Sequence, residues 1–100
     1  MEGCEEVFVK KYTMDSPVLV EFFGTGLLTA AVAFTGNGLL IIAALAIAIA
    51  LGGKVSGGHF NPAVTLLQYL SGKVGQMKAL YYVGAQLAAA ALVFGLSRVL

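Results

Sequence analysis

Charge is scarce in this chain. Only 11% of its 100 residues are Asp, Glu, Lys or Arg, against roughly 25% in an ordinary soluble domain. The net charge is +1, so nothing draws the chain to nucleic acid. Cysteine is nearly absent, with Cys4 standing alone. One thiol excludes a disulfide framework and a cysteine metal cluster, and it reads as a reduced cytosolic thiol. Histidine is as rare: His59 has no second His or Cys to share a metal with. With no catalytic dyad and no phosphate loop in a suitable setting, the chain reads as no enzyme and as needing no cofactor. The N-terminal stretch carries Glu2, Glu5, Glu6, Lys10, Lys11 and Asp15, which excludes a cleavable signal peptide.

Hydrophobic residues fill the space that charge leaves. They make up 59% of the chain, and the mean hydropathy is +0.91. They are also clustered. Residues 17–35 hold one charged side chain, Glu21, while 39–53 and 79–97 hold none. The pattern predicts an all-α, multi-pass membrane protein. A polar tail over 1–15 precedes it.

Three spans are predicted, over about 17–35, 37–53 and 76–100. Ser16 caps the first, and Pro17 occupies its first position, where no N–H partner is needed. Its length of about 28 Å, at ~1.5 Å per residue, is close to the hydrocarbon core of a bilayer, ~30 Å. Thr35-Gly36-Asn37-Gly38 reads as a tight turn. The second span is apolar on every face. The last carries Tyr81 and Tyr82 near its start, read as interfacial anchors. Ala44, Ala48 and Gly52, and also Gly84 and Ala88, form small-residue rows suited to close helix packing. The chain closes at Val99-Leu100 without a polar tail, which predicts that the natural protein is longer.

Between the second and third spans lies a polar, glycine-rich stretch. Gly52-Gly53-Lys54-Val55-Ser56-Gly57-Gly58 contains four glycines. Each costs about 1 kcal/mol against alanine in a helix, so this segment is expected to be coil. A re-entrant loop is predicted over 54–61. Asn61 then reads as an N-cap and Pro62 as the first position of a short helix over 62–70. That helix rises about 14 Å, half of a bilayer core. The coil before it, extended, reaches about 26 Å. The chain can thus enter the membrane as coil and leave as a half-helix on the same side.

The basic residues support this path. With a re-entrant loop, Lys10, Lys11, Lys54, Lys73 and Lys78 share one side and Arg98 lies on the other. The excess places the N-terminus in the cytoplasm. A full crossing by 62–70 would erase the bias. Unwound backbone is tolerated at membrane depth only where protein covers it or water wets it. Carbonyls of Gly57, Gly58 and His59 would offer a line of acceptors. The half-helix would point the positive end of its dipole at the midplane, with Asn61 there as a hydrogen-bond donor. Such half-helix dipoles are a known device for excluding protons and cations from membrane pores.

Ser56-Gly57-Gly58-His59-Phe60-Asn61-Pro62-Ala63 resembles the first Asn-Pro-Ala signature of the major intrinsic proteins, the aquaporins and aquaglyceroporins. Its form is most similar to that of bacterial water-selective members. Val20-Glu21-Phe22-Phe23-Gly24-Thr25 resembles the first-helix motif of that family, with valine replacing its usual alanine. Ala79-Leu80-Tyr81-Tyr82 and Ala85-Gln86 resemble its third helix. The likeness covers about residues 17–100, in order.

The resemblance implies the N-terminal half of a six-helix inverted repeat with two half-helices. It implies passive permeation of water and of small neutral solutes such as glycerol, in a tetramer, in the plasma (inner) membrane. Asn61, Pro62, Ala63, Gly57, Gly58 and His59 would line the pore. Glu21 would accept hydrogen bonds from the re-entrant backbone, and Gln86 would support the same loop. The ring of His59 reads as packing, with its carbonyl turned to the pore. By gap-free spacing from Asn61, the second-helix constriction position falls on Ile41. Water-selective members usually carry an aromatic there, so isoleucine points away from simple water selectivity. The second Asn-Pro-Ala and its arginine have no counterpart in the chain. The alternative reading is a fragment or non-conducting subunit that needs a complementary repeat or a full-length partner. An antiparallel homodimer is opposed by the lysine bias.

Overall fold

The computed structural model describes residues 16–100. The tail with Cys4, Lys10 and Lys11 lies outside the described residues. Four helices follow one another: α1 (Ser16–Phe34), α2 (Gly38–Ser56), α3 (Pro62–Leu70) and α4 (Gln76–Val99). α1, α2 and α4 are long and apolar enough to cross a membrane.

Burial is inverted relative to a water-soluble bundle. Leu39, Leu51, Leu70 and Phe23 are exposed, whereas Glu21, Thr25, Ser56, His59, Thr65 and Gln86 are buried. Such an arrangement suits a hydrocarbon solvent, which rewards apolar exteriors and demands that polar groups pair inside.

The short link between α1 and α2 makes them antiparallel. Asn37 begins α2 as its N-cap, accepting from the N–H groups of Leu39 at 2.9 Å and Leu40 at 3.1 Å. At the far end the two helices touch closely. A β-carbon at Gly52 would overlap Cγ1 of Val20. Ala44, Ala48 and Gly52 are the buried small residues of α2, as expected for a helix seam. α4 runs parallel to α1: Glu21 meets Gln86, and five residues on Gly26 faces Ala89.

The glycine-rich segment departs from the expected coil. α2 continues through Gly52, Gly53, Lys54 and Val55 to Ser56. Propensity alone disfavours this, but tertiary contact overrides it. Gly52 is where α1 comes in, and Ser56 is tied to Glu21 by a 2.7 Å hydrogen bond. Gly57 then caps the helix with φ 94° and donates to the Gly53 carbonyl. Only Gly57–Phe60 and the cap Asn61 separate the helices, so far less chain is unwound than the sequence suggests.

α3 returns to the end of the bundle from which the loop came. Thr65, one turn into α3, accepts from Gln86, which lies about 15 Å along α4 at ~1.5 Å per residue. Further on, Leu66 and Tyr69 share a cleft with Gln76, Ala79, Leu80 and Val83 at the start of α4. The second small-residue row behaves differently from the first. Gly84 and Ala88 are exposed, and no described helix packs on them.

Candidate functional site

The polar interior is organised by one carboxylate. Glu21 is fully buried, one turn into α1. Its Oε2 accepts from Ser56 Oγ at 2.7 Å and from the His59 N–H at 3.0 Å. Its Oε1 accepts from the Phe60 N–H at 2.6 Å and from Gln86 Nε2 at 2.9 Å. Four neutral donors thus surround the carboxylate, and no ion pair reaches it among the described residues. Hydrogen bonding of this kind is what lets a charge remain inside a protein.

The loop is shaped to meet these acceptors. Gly58 has φ 68° and donates its N–H to Ser56 Oγ at 3.1 Å. Phe60, although not glycine, has φ 52°, a conformation that persists only where the surroundings over-determine it. Two contacts do so. The Phe60 N–H is held by Glu21, and its ring lies against the bare Cα of Gly24.

One consequence follows from peptide geometry. The N–H groups of Gly58, His59 and Phe60 all turn toward Ser56 Oγ and Glu21. No peptide bond among the described residues is cis. In a trans peptide the preceding carbonyl opposes the N–H. The carbonyls of Gly57, Gly58 and His59 therefore point away from Glu21, and none accepts a hydrogen bond among the described residues.

Asn61 stands at the end of this row. Its Oδ1 accepts from the Ala63 N–H at 2.7 Å, which caps α3. That bond orients the amide and leaves Nδ2 turned outward on an exposed residue. Pro62 occupies the first turn of α3, and Ala63 is exposed beside it. Ile41 is half-buried and lies about 22 Å along α2 from Ser56, so the described chain does not bring it to the loop.

The His59 ring is buried and packs edge-on to Tyr82, with centroids 5.0 Å apart. Its Nδ1 lies 2.9 Å from Thr65 Oγ1, which also accepts from Gln86 Nε2 at 2.9 Å. Since Gln86 already donates, this arrangement suits a neutral ring with its proton on Nε2. Gln86 Oε1 and Thr25 Oγ1 are buried without a hydrogen-bond partner among the described residues.

Tyr82 corrects the reading of an interfacial anchor. It has no exposed surface, and its hydroxyl donates to the Ser56 carbonyl at 2.6 Å. Tyr81 is the exposed member of the pair. The signal for this was periodicity: Ala79, Tyr82, Gln86, Ala89 and Val93 recur at helical spacing and form the buried face of α4. Ser56 and Thr65 could not be assigned in the same way, because their partners come from distant segments. Tyr82→Phe keeps the ring but strips the last carbonyl of α2 of its side-chain donor. We expect a loss of about 1–3 kcal/mol, read as a lowered melting temperature of the purified protein in detergent.

Three apolar spans around a buried polar loop define an integral, multi-pass membrane protein. The chain belongs to the family described as "Major intrinsic protein", whose model matches residues 7–99. It is 32% identical to Aquaporin-5 of Sus scrofa over 106 residues, covering 96% of this chain and 40% of that protein. It is 33% identical to Aquaglyceroporin AqpS of Rhizobium meliloti (strain 1021) over 98 residues, covering 82% and 42% respectively. A shorter match to human Aquaporin-9 is 49% identical over 57 residues, covering 53% of this chain and 19% of that protein. The chain spans less than half the length of each of these relatives. They do not single out the bacterial water-selective form suggested by the motif. No solved structure matches the chain.

Proposed function

We propose that this chain forms one half of a transmembrane channel for water and small neutral solutes such as glycerol. The reading rests on the outward row of carbonyls from Gly57, Gly58 and His59, whose peptide partners, the N–H groups of Gly58, His59 and Phe60, are spent on Ser56 and Glu21. Carbonyl acceptors in line let water pass from one to the next without a bound cofactor. At the end of the row, the Asn61 amide donates to the permeant. The α3 N-terminus beside Pro62 adds about half a positive charge, which repels cations. Ala63 lines the same wall, and Ile41 sets the width further along the path.

The pore wall is open on one side, since Gly57, Asn61 and Ala63 are exposed. We assign that side to a complementary second repeat, in keeping with the less than half of each relative's length that this chain spans. The completed pore works by passive transport and not by catalysis, in a tetramer. Lys54, Lys73 and Lys78 sit at the end where α1 and α4 begin, and Arg98 at the other. This distribution favours a cytoplasmic N-terminus, in the plasma membrane.

Osmotic shrinkage of proteoliposomes tests the proposal. The chain reconstituted with the C-terminal half of a major intrinsic protein is expected to shrink vesicles faster than either half alone, with water and glycerol compared. Asn61→Leu should abolish the gain. No gain from the paired halves would overturn the channel reading and leave a non-conducting subunit.

A further inference from the structure

We infer that Thr65 is a positioning residue that acts through the His59 ring. Its hydroxyl donates to Nδ1 and so holds the ring with Nε2–H as a free donor beside Gly57, where the oxygen of a permeating water or alcohol meets it. The permeant's part rests on the channel reading above, whereas the state of the ring does not.

The direction of each proton is fixed in turn. A carboxylate only accepts, so the Gln86 atom beside Glu21 Oε1 is the amide nitrogen. That nitrogen gives its second hydrogen to Thr65 Oγ1, at 2.9 Å. It cannot take one back, so the Thr65 proton needs another acceptor. A helical threonine often returns its proton to the carbonyl four residues earlier. Thr29 does so to Thr25 at 2.7 Å, and Thr35 does so to Ala31. Thr65 makes no such bond among the described residues, and its other neighbour is His59 Nδ1, at 2.9 Å. Nδ1 is therefore the acceptor, and the proton of the neutral ring sits on Nε2.

The Nε2 edge of the ring faces the loop. A β-carbon at Gly57 would lie 3.4 Å from Nε2, so the bare Cα of this glycine leaves the approach open. Gly57 is itself exposed, and its carbonyl belongs to the outward row. Nε2 has no hydrogen-bond partner among the described residues, yet it is not sealed in as Thr25 Oγ1 and Gln86 Oε1 are. The bond to Thr65 and the edge contact with Tyr82 keep the ring from turning. A row of carbonyls accepts the hydrogens of a permeant but offers its oxygen nothing. Nε2–H supplies that donor ahead of Asn61, so the ring joins the path along with its carbonyl.

Ring-nitrogen NMR of the purified full chain tests the assignment. His59 is the single histidine, so isotope-labelled histidine gives one pair of ring signals. In mildly alkaline buffer, where an ordinary imidazole is neutral, Nε2 is expected to carry the proton and Nδ1 to show the shift of a hydrogen-bonded acceptor. Thr65→Val keeps the shape and removes the hydroxyl, so the Nδ1 signal should move to that of an unbonded nitrogen. Thr65→Ser should restore it. A proton on Nδ1 in the unaltered chain, or an Nδ1 signal that Thr65→Val leaves in place, would overturn the role of Thr65. Osmotic shrinkage with the paired halves tests the donor. His59→Phe keeps the contact with Tyr82 but has no N–H, and should lower water permeability about fivefold, the size of one ordinary hydrogen bond. Should that variant not fold, Thr65→Val should lower permeability and Thr65→Ser should recover it. Unchanged permeability would overturn the ring's part in the path. An unaltered pair that conducts nothing would instead overturn the channel reading, and the ring signals would still decide the role of Thr65.

Discussion

Glu21→Gln is expected to lower the melting temperature sharply and to release the loop. Size is nearly conserved, so the change isolates the loss of one acceptor. The new amide must choose an orientation. If its oxygen takes the Oε1 position, it keeps Phe60 N–H and Gln86 Nε2. Its NH₂ then faces Ser56 Oγ and the His59 N–H. The serine hydroxyl can rotate toward the Gly52 carbonyl, 3.4 Å away. The His59 N–H cannot rotate and is orphaned, at about 1–3 kcal/mol. Glu21→Ala removes every acceptor and orphans the N–H groups of His59 and Phe60 and one N–H of the Gln86 amide, whose other partner is Thr65. At about 1–3 kcal/mol each, that loss is a large part of a typical total stability of about 5–15 kcal/mol. Thermal melts of the three proteins check the order: unaltered above Gln above Ala. A melting temperature for Glu21→Ala equal to that of the unaltered chain would refute the central place given to this carboxylate.

Gly24→Ala should be about as damaging, and for a steric reason. A β-carbon at this position would overlap Cε1 and Cδ1 of the Phe60 ring. The ring is 1% exposed, and its backbone is anchored to Glu21, so it has nowhere to retreat. Overpacking of this kind costs about 1–3 kcal/mol. The sharper test is a double-mutant cycle. Phe60→Ala alone opens a cavity, at about 3–5 kcal/mol. In that background the Gly24→Ala methyl enters empty space, so its effect should change sign from destabilising to neutral or stabilising. A coupling near zero, against the 0.5–3 kcal/mol expected of residues in contact, would show that the ring and Gly24 do not share this space in solution.

Much of the architecture is legible along the chain. The scarcity of charge and the three apolar runs imply membrane spans, and the described residues form three such helices. Asn61-Pro62 announces the start of α3, because a cap acceptor and a residue without an N–H are what a helix N-terminus needs. Gly52 and Gly53 are the instructive failure. Helix propensity describes an isolated segment, whereas α2 persists to Ser56 because Val20 fills the space above Gly52 and Glu21 grips Ser56. Tyr82 is a second case. Its neighbour Tyr81 suggests an interfacial pair, and only the helical phase of Ala79, Gln86 and Ala89 sends Tyr82 inward. The Gly84 and Ala88 row resembles the Ala44 and Ala48 row in composition, yet among the described residues only the latter has a partner helix.

Periodicity, caps and the lysine distribution are local properties, and they suffice to set the class of protein, the order of its helices and the site of the loop. They do not say which way the loop's backbone faces. That orientation comes from hydrogen bonds between Glu21 and groups 35, 38, 39 and 65 residues away. A carboxylate has only two oxygens, and once packing commits them to Ser56, His59, Phe60 and Gln86, the planarity of the trans peptide turns the three carbonyls outward. The folded chain alone makes that assignment, because it depends on four segments meeting at one point.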